Sequence, residues 1–84
     1  MESEEITETI IGCAYKVHNT LGFGFQESVY RNSLTIELTK AGLECEKEKF
    51  IKVYYEDECV GKFRADIMVN DLIVLELKSG QNLC

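Results

Sequence analysis

The first half of the chain carries apolar residues at the helical spacing of three and four, in two blocks separated by glycines. The first block forms one stripe: Ile6, Ile10, Cys13, Val17 and Leu21. The second block forms another: Tyr30, Leu34, Leu38 and Ala41. This spacing predicts two amphipathic helices. Ser3 can cap the first helix, which should end near Gly22 and Gly24. The second should span about residues 26–40 and stop at Gly42.

From Cys45 onward the apolar period changes to two, which predicts β-strands. Residues 45–55 alternate imperfectly, with a slip near Lys49 and Phe50, so this strand should be bulged or half covered. Turn residues at 56–58 and 70–71 separate it from two further strands, the last expected over 72–78. The middle strand has two distinct faces: Phe63, Ala65, Ile67 and Val69 on one, and Lys62, Arg64, Asp66 and Met68 on the other. The pattern predicts an α+β fold, two N-terminal helices followed by a three-stranded antiparallel meander.

The register of the last hairpin decides which charged residues meet. With a two-residue turn at 70–71, Asp66 would lie opposite an apolar residue, and each face would mix polar and apolar side chains. With a three-residue loop at 70–72, Val69 pairs with Ile73 and the apolar residues share one face. The second register is therefore preferred. It brings two like-charge pairs together: Asp66 with Glu76, and Arg64 with Lys78.

A third acid falls in the first turn of the second helix. Counting back seven residues from Leu34 reaches Glu27, which places this carboxylate on the inward stripe. A surface acid would more naturally lie on the other face. The alternative is a glutamate that caps its own helix.

These acids suggest a site for a hard metal ion. Opposed side chains in an antiparallel pair have Cβ atoms about 5 Å apart, so two carboxylates there repel unless they share a proton or a cation. Asp66, Glu76 and Glu27 offer oxygen ligands for Mg²⁺ or Mn²⁺, and Lys78 could orient an attacking water or stabilise developing negative charge. Phosphodiester hydrolysis needs this set. The alternative is solvated charges on an open sheet face.

Composition bounds these interpretations. The 84 residues form one domain, residues 1–84, and 45% hydrophobic and 29% charged residues with no proline indicate a folded chain. With no apolar run of about 20 residues and an acidic start, we expect a cytoplasmic protein without a membrane span. A net charge of −6 disfavours non-specific nucleic-acid binding, so such a role needs a local basic patch. Four widely spaced cysteines indicate reduced thiols and no zinc site: Cys13, Cys45, Cys59 and Cys84.

Several motifs resemble a known family. "GFQESVY", the preceding "VHNTLGFGF" and the later "FRADIMVNDLIVLELKS" are similar to the GxxExxY proteins, assigned to the PD-(D/E)xK nuclease superfamily. The similarity covers residues from about 6 to 79. It implies that Asp66 is the first acid, that Glu76 and Lys78 form the ExK element, and that Glu27 is the acid of the first core helix. Ala65 stands where the superfamily name has proline.

Two further residues, His18 and Tyr30, fall on signature positions of that family. For His18 we favour packing or a hydrogen bond over metal ligation, because a lone histidine offers little as a site. Tyr30 lies on the core stripe, so we expect it to pack with its hydroxyl hydrogen-bonded.

The resemblance implies a Mg²⁺- or Mn²⁺-dependent nuclease acting on nucleic acid, with DNA as the expected substrate. A non-catalytic interaction or regulatory module that keeps the fold is the alternative, and a structural remnant with solvated charges is a third. Members of the family usually continue after the lysine into another helix and strand, so the chain is expected to be a C-terminally truncated core. The sheet left uncovered should then promote homo-oligomers.

Overall fold

The computed structural model describes residues 3–77, which fold as two helices followed by a sheet. The elements are α1 Ser3–Leu21, α2 Glu27–Lys40, β1 Cys45–Tyr55, β2 Glu58–Val69 and β3 Ile73–Leu75. The three strands pair antiparallel in the order β1-β2-β3. The predicted α+β fold, with two helices before a three-stranded meander, is confirmed. Neither helix of the described residues has the length and apolar character needed to cross a membrane.

Glycines in the left-handed region end both helices. Gly22 has φ +72°, and its N–H donates to the His18 carbonyl at 2.8 Å, which closes α1. Gly42 has φ +90° after α2, and the Leu43 N–H donates to the Leu38 carbonyl at 3.1 Å. This second arrangement is a Schellman motif, which turns Leu43 inward and leads the chain into β1.

The core lies between the helices and one face of the sheet. Helix α2 packs against α1 and also against β1 and β2. The buried cluster contains residues from both helices, from the α2–β1 connection and from β2: Ile6, Ile10, Val17, Leu34, Leu38, Leu43, Ile67 and Val69. The predicted stripes are therefore confirmed, except that Ala41 is exposed because it is the C-cap residue of α2.

The β1–β2 hairpin extends beyond the helices. Its turn consists of Glu56 and Asp57, both with positive φ, and a register shift lies just before it in β1, between Val53 and Tyr54. Phe63, predicted on the core face, is 40% exposed because the helices do not reach this half of β2. The irregularity expected near Lys49 is present one residue earlier, at Glu48, whose φ is +52°.

The β2–β3 hairpin has the three-residue loop that the apolar pattern predicts. Val69 pairs with Ile73, and Asn70 and Asp71 both have positive φ. The Leu72 N–H donates to the Val69 carbonyl at 2.9 Å. Within the described part of the chain, β3 ends at Leu75 instead of continuing through the predicted 72–78. Residue 78, the predicted end of this strand, lies outside the described residues.

Candidate active site

Asp66 lies on the face of the sheet that points away from the helices. Its neighbours on β2, Ala65 and Ile67, are fully buried on the opposite face. Asp66 is partly buried, and its Oδ2 atom accepts a hydrogen bond from the backbone N–H of Leu77 at 2.7 Å. A carboxylate that accepts a backbone N–H makes a charge-assisted hydrogen bond, about twice as strong as a neutral one. This bond ties β2 to the chain just after β3.

Glu76 lies beside this bond. The last pair of the β2–β3 ladder is Ile67 with Leu75, and one residue further along the same register lie Asp66 and Glu76. Glu76 is exposed. The register that the sequence favoured is therefore confirmed over the paired residues, and the Leu77 bond holds the two acids at the same end of the sheet. Lys78, the third predicted residue at this end, lies outside the described residues.

Glu27 does not lie on the inward face. It is the first residue of α2 and is exposed, so the predicted inward position is wrong. The reason is that core packing on α2 begins one turn later, at Tyr30. Within residues 3–77, no group of three or more His, Cys, Asp or Glu side chains is placed to hold a metal ion. The structure thus does not gather Glu27 with Asp66 and Glu76, and its catalytic role stays a prediction.

An arginine pair around Glu48 was missed at the level of the sequence. Arg31 of α2 and Arg64 of β2 both approach the same carboxylate oxygen of Glu48, at 3.5 and 3.4 Å. The signal that could have found Arg31 is its spacing of four from Glu27, which puts both residues on one helix face. Nothing in the local pattern marks Glu48, because its partners come from two other elements.

This cluster carries a net positive charge next to Asp66. Glu48 lies on β1 at the level of Asp66, since the flanking residues Lys47 and Lys49 pair with the residues on either side of Asp66. The Arg31 side chain is only 14% exposed. Its Nε atom is buried without a hydrogen-bond partner among residues 3–77. Buried donors are usually satisfied, so this Nε–H is an exception within the described chain.

Tyr30 and His18 organise the loop between the helices. The Tyr30 hydroxyl donates to the Gly22 carbonyl at 2.6 Å and accepts from the Phe25 N–H at 3.4 Å. The prediction of a packed tyrosine with a satisfied hydroxyl is confirmed. His18 packs edge-on against Phe23, with ring centroids 4.7 Å apart. Both residues therefore hold the loop that precedes Glu27.

A shallow apolar depression lies on the exposed side of α1. Its walls come from α1 alone: Ile11, Ala14, Tyr15 and His18. It contains no carboxylate and lies on a different element from Asp66 and Glu76. Its composition offers no chemistry for hydrolysis, so the acid pair on the sheet is the better candidate site.

The helices and the three-stranded meander form an α+β domain with two acids, Asp66 and Glu76, at one end of its sheet. The sequence profile of the PD-(D/E)XK nuclease superfamily matches residues 4–84, and the chain belongs to this superfamily. No match was found among the curated proteins or among the solved structures. The finer assignment to the GxxExxY proteins stays a prediction.

Proposed function

We propose that the protein is a metal-dependent nuclease that hydrolyses phosphodiester bonds in nucleic acid, with DNA as the expected substrate. One observation carries the proposal: in a chain of this superfamily, Asp66 and Glu76 lie at the same end of the sheet, and the hydrogen bond from Leu77 fixes the Asp66 carboxylate.

The two acids suit Mg²⁺ or Mn²⁺ by their donor chemistry. Magnesium is commonly bound through one or two carboxylates, with waters and substrate phosphate filling the other positions. The Leu77 bond uses one oxygen of Asp66, which leaves the other free as a ligand. A divalent ion held there would supply Lewis-acid activation of a phosphoryl oxygen.

The protein residues supply binding and orientation. Asp66 and Glu76 would hold the ion: Asp66 lies in β2, and Glu76 directly follows the last residue of β3. Lys78 follows Glu76 by two residues and is assigned to orient the attacking water or stabilise negative charge on the phosphate. Glu27 is assigned an assisting role. Its exposed position at the start of α2 leaves its carboxylate accessible to solvent and substrate.

The test is cleavage of single- and double-stranded DNA and RNA with Mg²⁺, with Mn²⁺ and with a chelator. Asp66→Asn, Glu76→Gln and Lys78→Ala should each reduce cleavage by about 100-fold or more, as expected for loss of a catalytic group. Asp57→Asn is the matched control, because Asp57 lies in the β1–β2 turn and asparagine tolerates its positive φ. Cleavage that persists in chelator, or that all variants retain, would refute the proposal.

A protein that binds nucleic acid but cleaves none of these substrates would instead be the non-catalytic module predicted as the alternative. That outcome separates the two hypotheses, because binding and cleavage are measured independently. The cytoplasmic location expected from composition also stays a prediction, to be tested by fractionation.

We also propose self-association through β3. In the described sheet β3 is an edge strand, as β1 is, and its neighbourhood exposes Leu72 and Val74. An open edge with apolar side chains favours pairing with a second copy.

Sedimentation should show a concentration-dependent dimer that Val74→Lys weakens. Ile36→Lys on α2, also exposed, is the control and should leave association unchanged. Sedimentation as a monomer at all concentrations would refute this.

A further inference from the structure

A cationic strip runs along the outer face of the β1–β2 hairpin. We give this name to four residues paired across the two strands: Phe50 with Arg64, and Lys52 with Lys62. Lys62 and Arg64 alternate with Asp66 along β2, so all three side chains lie on the face opposite the buried residues. The strip and the proposed catalytic acid therefore share one surface.

The two lysines of the strip lack counter-ions within residues 3–77, whereas Arg64 pairs with Glu48. Directly opposed side chains have Cβ atoms about 5 Å apart, and like charges in that relation destabilise a sheet. Lys52 and Lys62 form such a pair, and neither makes a salt bridge to a carboxylate in residues 3–77. A bound polyanion would relieve this repulsion. In a chain of net charge −6, this is the local basic patch that a nucleic-acid role requires.

An aromatic ring lies within the strip. Phe50 is 67% exposed, although burial is the normal place for phenylalanine. The Lys62 ammonium lies 5.8 Å from the centroid of its ring. Exposed aromatics among cations on a sheet are typical of surfaces that bind single strands, where rings stack on unpaired bases and cations contact phosphates.

The strip leads toward the acid pair. Lys62 precedes Asp66 by four residues, which is about 13 Å along a strand. At the other end, the turn residues Glu56 and Asp57 and the first residue of β2, Glu58, are all acidic, which opposes continuation of a polyanion past the hairpin tip. A strand lying on the strip is thus directed toward Asp66.

From this arrangement we infer that the cationic strip binds the single strand of nucleic acid on which the acid pair acts, with phosphates at Lys52, Lys62 and Arg64 and a base stacked on Phe50. The inference rests on the proposed function only in taking Asp66 as the place of cleavage. Binding by the strip requires no metal and no turnover.

The experiment measures fluorescence anisotropy of a labelled single-stranded oligonucleotide with the full chain in chelator, over a range of salt. Lys52→Gln/Lys62→Gln should weaken binding about tenfold at low salt and reduce the slope of log K against log salt by roughly 0.7 for each lysine removed. The control, Lys16→Gln/Lys40→Gln, removes the same charge from lysines that pair with Glu37 on the helices. It should bind like the wild type.

A second pair of variants tests stacking. Phe50→Ala should weaken single-strand binding about fivefold or more, and Phe50→Tyr should restore it. Tyr15→Ala on α1, which removes another exposed ring, should have no effect. Thermal melts confirm that each variant is folded.

Three outcomes would overturn the inference: equal weakening by the two double-lysine variants, unchanged binding in Phe50→Ala, or equally tight binding of a duplex of the same length. Asp66→Asn separates this inference from the proposed nuclease activity. It should bind the single strand like the wild type while its cleavage falls by about 100-fold or more. Binding that depends on the strip, in a protein that never cleaves, refutes the nuclease proposal alone.

Discussion

The Oδ2 atom of Asp66 accepts a hydrogen bond from the Leu77 backbone N–H at 2.7 Å, which joins a proposed catalytic acid to the segment that carries its partner Glu76. The same carboxylate therefore has a structural role besides the chemical role proposed for it. Side-chain substitutions can separate these roles, because asparagine keeps an oxygen acceptor and loses the charge.

Substitution of Asp66 tests this separation. Asp66→Ala should lower the protection of the Leu77 amide from hydrogen exchange by about tenfold, since hydrogen bonds to charged groups contribute about 1.5–3 kcal/mol. Asp66→Asn should retain most of the protection. Both should lose nuclease activity. Exchange measured by NMR decides the point, and unchanged protection in Asp66→Ala would contradict the structural role.

Glu48 is predicted to compete with the substrate for Arg64. Its carboxylate lies 3.4 Å from Arg64, so Glu48→Gln should free the guanidinium for phosphate and tighten oligonucleotide binding severalfold at low salt. Glu46→Gln is the matched control, because Glu46 pairs with Lys49 instead. Anisotropy titrations measure the binding of both variants. Weaker binding by Glu48→Gln would contradict the prediction and would mean that the Glu48 carboxylate holds the arginines in place for the ligand.

Tyr30→Phe should destabilise the protein by about 1 kcal/mol, because it removes the hydroxyl that bridges the inter-helix loop. Tyr15→Phe removes a hydroxyl from an exposed residue of α1 and should change the free energy of unfolding by less than about 0.5 kcal/mol. Urea unfolding followed by circular dichroism measures both. Equal effects would mean that the loop does not depend on this hydroxyl.

Substitution of two glycines by alanine should change the stability of the protein in opposite directions. Gly42→Ala should cost about 1 kcal/mol, because φ +90° is strained for any residue with a Cβ atom. Gly12 lies within α1 with nothing within 4 Å of an added Cβ, so Gly12→Ala should stabilise by about 0.5–1 kcal/mol. Thermal or urea unfolding distinguishes the signs. A stabilised Gly42→Ala would contradict the Schellman motif.

The three cysteines of the described chain should differ in reactivity. Burial raises the pKa of Cys13 above its ordinary value, with a further contribution from the Glu37 charge, and burial likewise raises the pKa of Cys45. Near pH 8 the thiolate fractions of Cys13 and Cys45 are therefore smaller than that of an ordinary cysteine. Iodoacetamide should modify the exposed Cys59 first. Peptide mass mapping measures the order. In denaturant the three should react alike, and early modification of Cys13 would contradict the prediction.

Local sequence patterns predicted most of the fold because they report on burial. The helical stripes, the glycine stops and the alternation in β2 each follow from which side chains must leave water. The register of the last hairpin also followed, since only one register puts the apolar residues of both strands on one face. The prediction that Glu27 points inward was wrong, because periodicity shows which face of a helix is apolar but not where along the helix the core packing begins. On α2 it begins one turn after Glu27.

The sequence by itself determined the two helices, the meander and the favoured register, which places Asp66 and Glu76 at one end of the sheet. Only the tertiary structure decided that Glu48 contacts both Arg31 and Arg64, that Asp66 binds the Leu77 amide, and that the hairpin extends beyond the helices with Phe50 exposed. Apolar burial has a period that can be read along the chain. A contact between polar groups on separate elements depends on how those elements pack, and it leaves no period in the sequence.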